Sequence, residues 1–203
     1  MFEGGAANLV NMEPDLADDA ELLRAHSAGD RQAFARLYDR YDRASFQFIR
    51  RTLGAAHAEV ADDIHQDTWL AVSRNAAAFD PGKASFPAWL FTIARNKVLD
   101  HFRRQKIAFL ASGEDDVAAM IADEGPTPLD QVMTRELAQK LVAAVEALPL
   151  EQRGAFVMFT SGGLSLEEIA TATGVAVETA KSRLRYARAK LREALAGERP
   201  AHA

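Results

Sequence analysis

Residues 177–192, VETAKSRLRYARAKLR, carry Lys181, Arg183, Arg185, Arg188, Lys190 and Arg192 against one acid, Glu178. Val177, Ala180, Leu184, Ala187 and Leu191 recur at helical spacing on one face and leave the bases to the others. Cationic side chains on an exposed helix face reach phosphates and guanine edges, so this is binding chemistry and not bond-breaking chemistry. A second basic run, Arg95, Lys97, Arg103, Arg104 and Lys106 against Asp100, follows Phe79, Phe86, Trp89 and Phe91. Rings beside cations suit melted or single-stranded DNA, where bases stack and phosphates pair. Trp89, Leu90 and Ile93 also have the spacing of a buried stripe, and a basic helix end is often only a solvated terminus. In EVADDIHQDTWL (59–70), Asp63, Gln66 and Asp67 project from one face, as a protein-docking or solvated surface would. His57, Asp62, Asp63 and His65 raise the idea of a metal, but the segment matches no ligand motif. No metal, cofactor or catalytic residue is expected. The chain has no cysteine, which rules out disulfides, thiolate metal sites and cysteine nucleophiles.

The elements that must position these residues are helices. SLEEIATATGVAVETAKSRL reads as a helix-turn-helix. Ser165 and Glu168 form a capping box, Gly174 suits a left-handed turn, and a second helix starts near Val177 without a capping side chain at Ala176. That arrangement sets a recognition helix in the major groove. Upstream, Leu22, Leu23, Phe34, Leu37, Tyr38, Phe46, Ile49 and Leu53 fall at helical spacing, with breaks at Gly29-Asp30 and Gly54. A third helix is expected over about 58–76, a loop over 79–85 at Pro81-Gly82, and a long helix over about 86–106. The expected organisation is an acidic tail (1–18), a helical domain (19–106), a flexible acidic linker (107–134), a smaller helical domain (135–196) and a short tail (197–203). The fold class is therefore all-α, with two small domains in 203 residues.

Charge follows this division. The net charge is −5, with 24 Lys and Arg against 29 Asp and Glu. Residues 1–21 hold six acids and no base, and residues 107–134 hold six acids and no base. Removing those twelve leaves 17 acids against 24 bases, so the two helical blocks are basic. The N-terminus has neither a basic start nor a long apolar run, so no signal peptide, membrane span or membrane contact is expected.

Together these segments resemble the extracytoplasmic-function group of the sigma-70 family, over about residues 19–106 and 135–196. DDIHQDTWLAV resembles the family's polymerase-binding helix, and FDPGKASFPAWLFTIARNKVLDHFRR resembles the segment that melts and reads the −10 element. LPLEQRGAFVMF with the helix-turn-helix resembles the domain that reads the −35 element. The resemblance implies that Asp63, Gln66 and Asp67 contact the polymerase clamp. It implies that Lys83, Ser85 and Phe86 lie in the loop that captures a flipped-out base, and that Arg95, Asn96, Asp100, Arg103 and Arg104 face −10 DNA. Thr179, Lys181, Ser182, Arg183, Arg185 and Arg188 would face −35 DNA. Core RNA polymerase, promoter DNA and a cognate anti-sigma factor are the implied partners, and the cytoplasm is the implied compartment.

There are departures. Glu178-Thr179-Ala180 stands where the family often has Gly-Thr-Val, and Tyr186 stands where Arg is common. Only Trp89 occupies the region of the paired-tryptophan melting motif of housekeeping sigma factors. Two other readings fit parts of the chain: a free-standing operator-binding regulator would use residues 165–192, and a helical enzyme would use a metal at 57–67.

Overall fold

A computed structural model describes residues 16–112 and 129–196 of the chain, and among these there are eight α-helices and no strand. They are α1 (Leu16–Ser27), α2 (Arg31–Leu53), α3 (Ala61–Arg74), α4 (Phe86–Ser112), α5 (Leu129–Glu146), α6 (Leu150–Thr160), α7 (Leu166–Thr173) and α8 (Val177–Leu195). The ends follow local chemistry. Asp30 Oδ1 accepts from the amides of Gln32 (2.8 Å) and Ala33 (3.2 Å) to cap α2, and Gly54, at φ 80°, closes it. Ser165 and Glu168 form the expected capping box on α7, and Gly174 at φ 66° ends that helix in the left-handed region.

Several boundaries differ from the sequence expectation. α1 starts at Leu16, inside the expected tail, and is anchored by Asp19, which is fully buried and accepts from the Tyr41 hydroxyl and the Arg40 guanidinium. Burial and the Asp19 carboxylate hold the Tyr41 phenol well above its ordinary pKa. α4 runs on to Ser112 and α5 begins at Leu129, so both intrude on the expected linker. The run Ile107-Ala108-Phe109-Leu110-Ala111 contains no breaker before Gly113. The helix expected over 58–76 is three pieces: a 3-10 turn (Ala55–Val60), α3, and a short 3-10 turn (Ala76–Ala78), with the kink at His57. The acidic tail up to residue 15, most of the linker and the C-terminal tail lie outside the described residues.

Two helical blocks, α1–α4 and α5–α8, pack directly on one another through α4 against α7 and α2 against α6. The expectation of two domains tethered by a linker did not include this contact. Phe48, Phe91, Leu37, Ile49 and Leu90 of the first block join Met158, Val157, Ile169, Leu184 and Ala187 of the second in one apolar cluster. Gly162 makes the approach possible, because a Cβ there would sit 2.9 Å from Phe91 Cζ and 2.7 Å from the Met158 carbonyl. Polar ties line the seam. Arg51 donates to Ser161 at 2.7 Å, and the Ala55 amide donates to Glu146 at 3.0 Å. Arg153 reaches across from α6 to the Thr52 carbonyl at 3.0 Å, and donates to the Glu146 and Leu148 carbonyls on its own side. Burial draws the Arg153 pKa below its ordinary value, opposed by Glu146, and the guanidinium stays charged.

Within the first block, α3 is seated on α2 by His65. Trp69 Nε1 donates to His65 Nε2 at 3.0 Å, and Ser45 Oγ lies 3.0 Å from the same nitrogen. That nitrogen must therefore carry a lone pair, which is the neutral ring. Burial lowers the His65 pKa from 6.5, partly offset by the Asp42 carboxylate, whose oxygen is 3.5 Å away.

Two predictions concern this framework. Arg153→Met leaves three carbonyls, those of Thr52 and Glu146 at helix ends and of Leu148 in the turn after α5, without their donor and should cost about 2–3 kcal/mol in urea unfolding; an unchanged midpoint would mean that water replaces the guanidinium. For His65, the folded state binds the proton less readily than the unfolded one, so stability falls as pH drops below about 6.5, until the lowered folded pKa is passed. The urea midpoint should decline as the pH is lowered from about 7.5 through the unfolded-state value near 6.5. His65→Gln, which keeps an acceptor for Trp69, should decline less, and an equal decline would discount His65.

Candidate nucleic-acid and docking interfaces

α3 presents two faces because its apolar positions repeat every three or four residues. Ile64, His65, Thr68, Trp69 and Val72 are buried, while Asp62, Asp63, Gln66, Asp67 and Leu70 are exposed. Asp62, Asp63 and Gln66 rim an open groove of about 550 Å³ against α2, whose wall includes Tyr38, Trp69 and Leu70. Asp67 turns toward α4 and pairs with Lys97 at 3.4 Å. Among the described residues no three His, Asp or Glu side chains converge on a metal-sized site. His65 is in the core network, and the His57 ring packs edge-on against His101 and Phe102.

The loop between α3 and α4 is shaped by Asp80. Its carboxylate accepts from the Gly82 amide at 3.0 Å and pairs with Lys83 at 2.9 Å, and these contacts, Lys83 first, hold it below the usual carboxylate range. Lys83 itself points into solvent at 83% exposure. Ser85 Oγ accepts from the Ala88 amide at the start of α4 and donates to Glu168 of α7. Phe86 departs from the sequence expectation: at 1% exposure it is part of the core, packed against Tyr41 and Phe79, and presents no face to a base. It is the first residue of α4 on the inward side, and its neighbours hide it. The rings that stay half-buried at the loop are Phe79 and Trp89, 5.2 Å apart.

Along α4, Asn96, Asp100, Arg103 and Arg104 share a face at three- and four-residue spacing, with Arg103 paired to Asp100 at 2.9 Å. Arg95 lies a quarter-turn away and faces the second block. Its Nη2 donates to both carboxylate oxygens of Glu151 in α6 at 2.9 Å, and its side chain is 17% exposed.

On α8, Ala180, Leu184, Ala187 and Leu191 are buried against the rest of the second block, as the spacing predicts, whereas Val177, read on the same face, is exposed at the first position of the helix. Thr179, Lys181, Arg185 and Arg188 are exposed, and Ser182 is half-exposed with its hydroxyl on the Thr179 carbonyl. Arg188 lies over the Phe159 ring at 4.9 Å and Arg185 beside Tyr186 at 5.2 Å, contacts that hold both guanidiniums outward. Arg183 departs from this set: it turns inward to Glu151 at 3.1 Å and is 21% exposed. Glu151 and Phe159 therefore belong to these surfaces, and neither carries a spacing signal, because each meets its arginine only once α6 is packed on α8.

The comparisons with known proteins agree with this layout. The family model of sigma-70 region 2 matches residues 37–107, and that of sigma-70 region 4 matches residues 138–191. An ECF RNA polymerase sigma factor of Mycobacterium tuberculosis, SigM, is 40% identical over 173 residues, 85% of this chain and 82% of that protein. The RNA polymerase sigma factor NccH of Alcaligenes xylosoxydans xylosoxydans is 35% identical over 178 residues, 87% of this chain and 94% of that protein. Among solved structures, CnrH in complex with the cytosolic domain of CnrY aligns with a TM-score of 0.65 at 28% identity, covering 90% of this chain and 99% of CnrH. The Bartonella quintana sigma factor RpoE in complex with the anti-sigma factor NepR aligns with a TM-score of 0.65 at 27% identity, over 82% of this chain and 98% of that one. A capped helix-turn-helix with a cationic recognition helix, packed on a second helical block with an acidic outer helix, thus has its counterpart in proteins of one kind, and the chain belongs to the extracytoplasmic-function sigma factors of the sigma-70 family.

Proposed function

We propose that this sigma factor divides its work among three surfaces. The acidic face of α3, Asp63, Gln66 and Asp67, docks on the clamp of core RNA polymerase. The exposed face of α8, Thr179, Lys181, Ser182, Arg185 and Arg188, reads the −35 element as duplex, with Arg183 joining it once released from Glu151. Lys83 and Ser85 of the loop and Asn96, Asp100, Arg103 and Arg104 of α4 hold the opened −10 strand, with Arg95 completing the set and Trp89 as the ring beside the loop. The observation that carries the reading is the outward cationic face of α8 behind a capped helix-turn-helix.

Each step is binding, so nucleotide addition belongs to the polymerase and the chain itself is not an enzyme. Two solved relatives were captured with the cytosolic domain of CnrY and with the anti-sigma factor NepR, which supports a partner of that kind here. No helix among the described residues is long and apolar enough to cross a membrane, and a partner of polymerase in a bacterium works in the cytoplasm.

Run-off transcription with purified core polymerase on fragments of the source genome is the direct test. Start sites that depend on the protein are expected; a protein that bound neither core nor promoter complexes would overturn the reading. Asp63→Arg should weaken core binding at least about tenfold by reversing a docking charge, and unchanged affinity would remove α3 from the interface. Arg185→Ala should weaken promoter binding by about 1–3 kcal/mol and, if its contact is with phosphate, lower the salt slope by about one. Equal binding at every salt concentration would take Arg185 out of the DNA face.

A further inference from the structure

The geometry points to Glu151 as an intramolecular competitor for DNA: it holds Arg183 of the recognition helix and captures Arg95 of the first block, and so keeps the chain closed with both arginines withheld from phosphate. This rests on the proposed reading of those arginines as DNA contacts.

The carboxylate lies between two guanidiniums that come from different blocks. Arg95 Nη2 bonds both of its oxygens at 2.9 Å, and Arg183 Nη1 is 3.1 Å from Oε2. A carboxylate engages guanidinium much as a phosphate does, through hydrogen bonds to Arg95 and an ion pair with Arg183, so Glu151 can compete with a DNA phosphate for both. Arg95 and Arg183 are 17% and 21% exposed; Arg95 is too covered to meet a duplex without the blocks moving apart, and Arg183 must exchange Glu151 for phosphate within its own block. Ser85 is a second instance at the same seam: a loop residue of the first block is engaged by Glu168, the capping-box acid of α7. The seam itself is built in, because Arg153 stands two residues beyond Glu151 and bonds the Thr52 carbonyl, while Gly162 admits Phe91.

The acidic face of α3 stays outside the seam, with Asp63 and Gln66 exposed. Polymerase can therefore dock on the closed chain, after which promoter phosphates compete with Glu151 for the two arginines. Opening breaks the Arg95 pair alone, since Arg183 and Glu151 belong to the same block. The order that follows is docking first, then separation of the blocks, then DNA.

The test uses the full chain without polymerase. The protein has no cysteine, so Gln32→Cys in α2 and Ala143→Cys in α5, both at exposed positions, accept a donor–acceptor dye pair cleanly. Binding is measured to a 30-base-pair duplex of arbitrary sequence over a range of salt. E151Q should lower energy transfer between the blocks, tighten duplex binding roughly tenfold at low salt, and steepen the dependence of log affinity on log salt by about 2 as two arginines reach phosphate. E167Q, an equal change in charge at an exposed position of α7, should alter neither transfer nor slope. Unchanged transfer in E151Q overturns the latch. Lower transfer with no more gain in binding than E167Q overturns the competition with DNA. Arg95→Ala and Arg183→Ala added to E151Q report on the underlying reading: if binding stays tight, those arginines are not DNA contacts, while the change in transfer still measures the latch.

Discussion

The carbonyls at the C-terminal ends of α2 and α5 have no amide ahead of them in their own helices, and Arg153 is the group that reaches both. Its guanidinium takes the Thr52 carbonyl on one side and those of Glu146 and Leu148 on the other. Unsatisfied carbonyls in a partly buried seam are costly, so the placement of α6 against the end of α2 follows from this one residue. With α6 fixed, the α6–α7 turn falls where only glycine fits against Phe91. Two small sets of helices thereby share one core.

That shared core decides how charge is displayed. The acid of α3 faces away from the seam and remains on the outside, whereas the cations divide. Arg103, Arg104, Lys181, Arg185 and Arg188 face outward, while Arg95 and Arg183 turn inward onto Glu151. Arg95 is the arginine whose availability depends on the spacing between the blocks, while Arg183 is held by Glu151 within its own block. A sigma factor must meet polymerase before it meets promoter DNA, and an acidic docking face that is exposed while part of the DNA face is covered matches that order.

Aromatic side chains sort by the same constraint. Phe86 and Trp89 are both near the start of α4, one turn of helix apart, yet Phe86 is enclosed by Tyr41 and Phe79 while Trp89 keeps one side toward the loop. Phe159 is only partly covered on α6, and the Arg188 guanidinium that lies over it gives the ring a use as a rest for a DNA-facing cation.

Features set by a few consecutive residues were determined by the sequence itself. The capping box at Ser165 and Glu168, the left-handed Gly174, the uncapped start at Ala176, the breaks at Gly29-Asp30 and Gly54, and the buried stripe of α8 all depend on local hydrogen bonds and helical periodicity. Both helical blocks and the acidic segments around them were legible for the same reason. Tertiary structure alone decided the rest. Asp19 reads as one more acid of the acidic run 1–21 until Tyr41 and Arg40 enclose it. Arg95 and Arg183 have the same residue type and spacing class as their exposed neighbours, and only the approach of α6 separates them. Pairings such as Arg95 with Glu151, or Gly162 with Phe91, join residues far apart in the chain, and no local periodicity encodes a distance between two helices that first meet in the folded core.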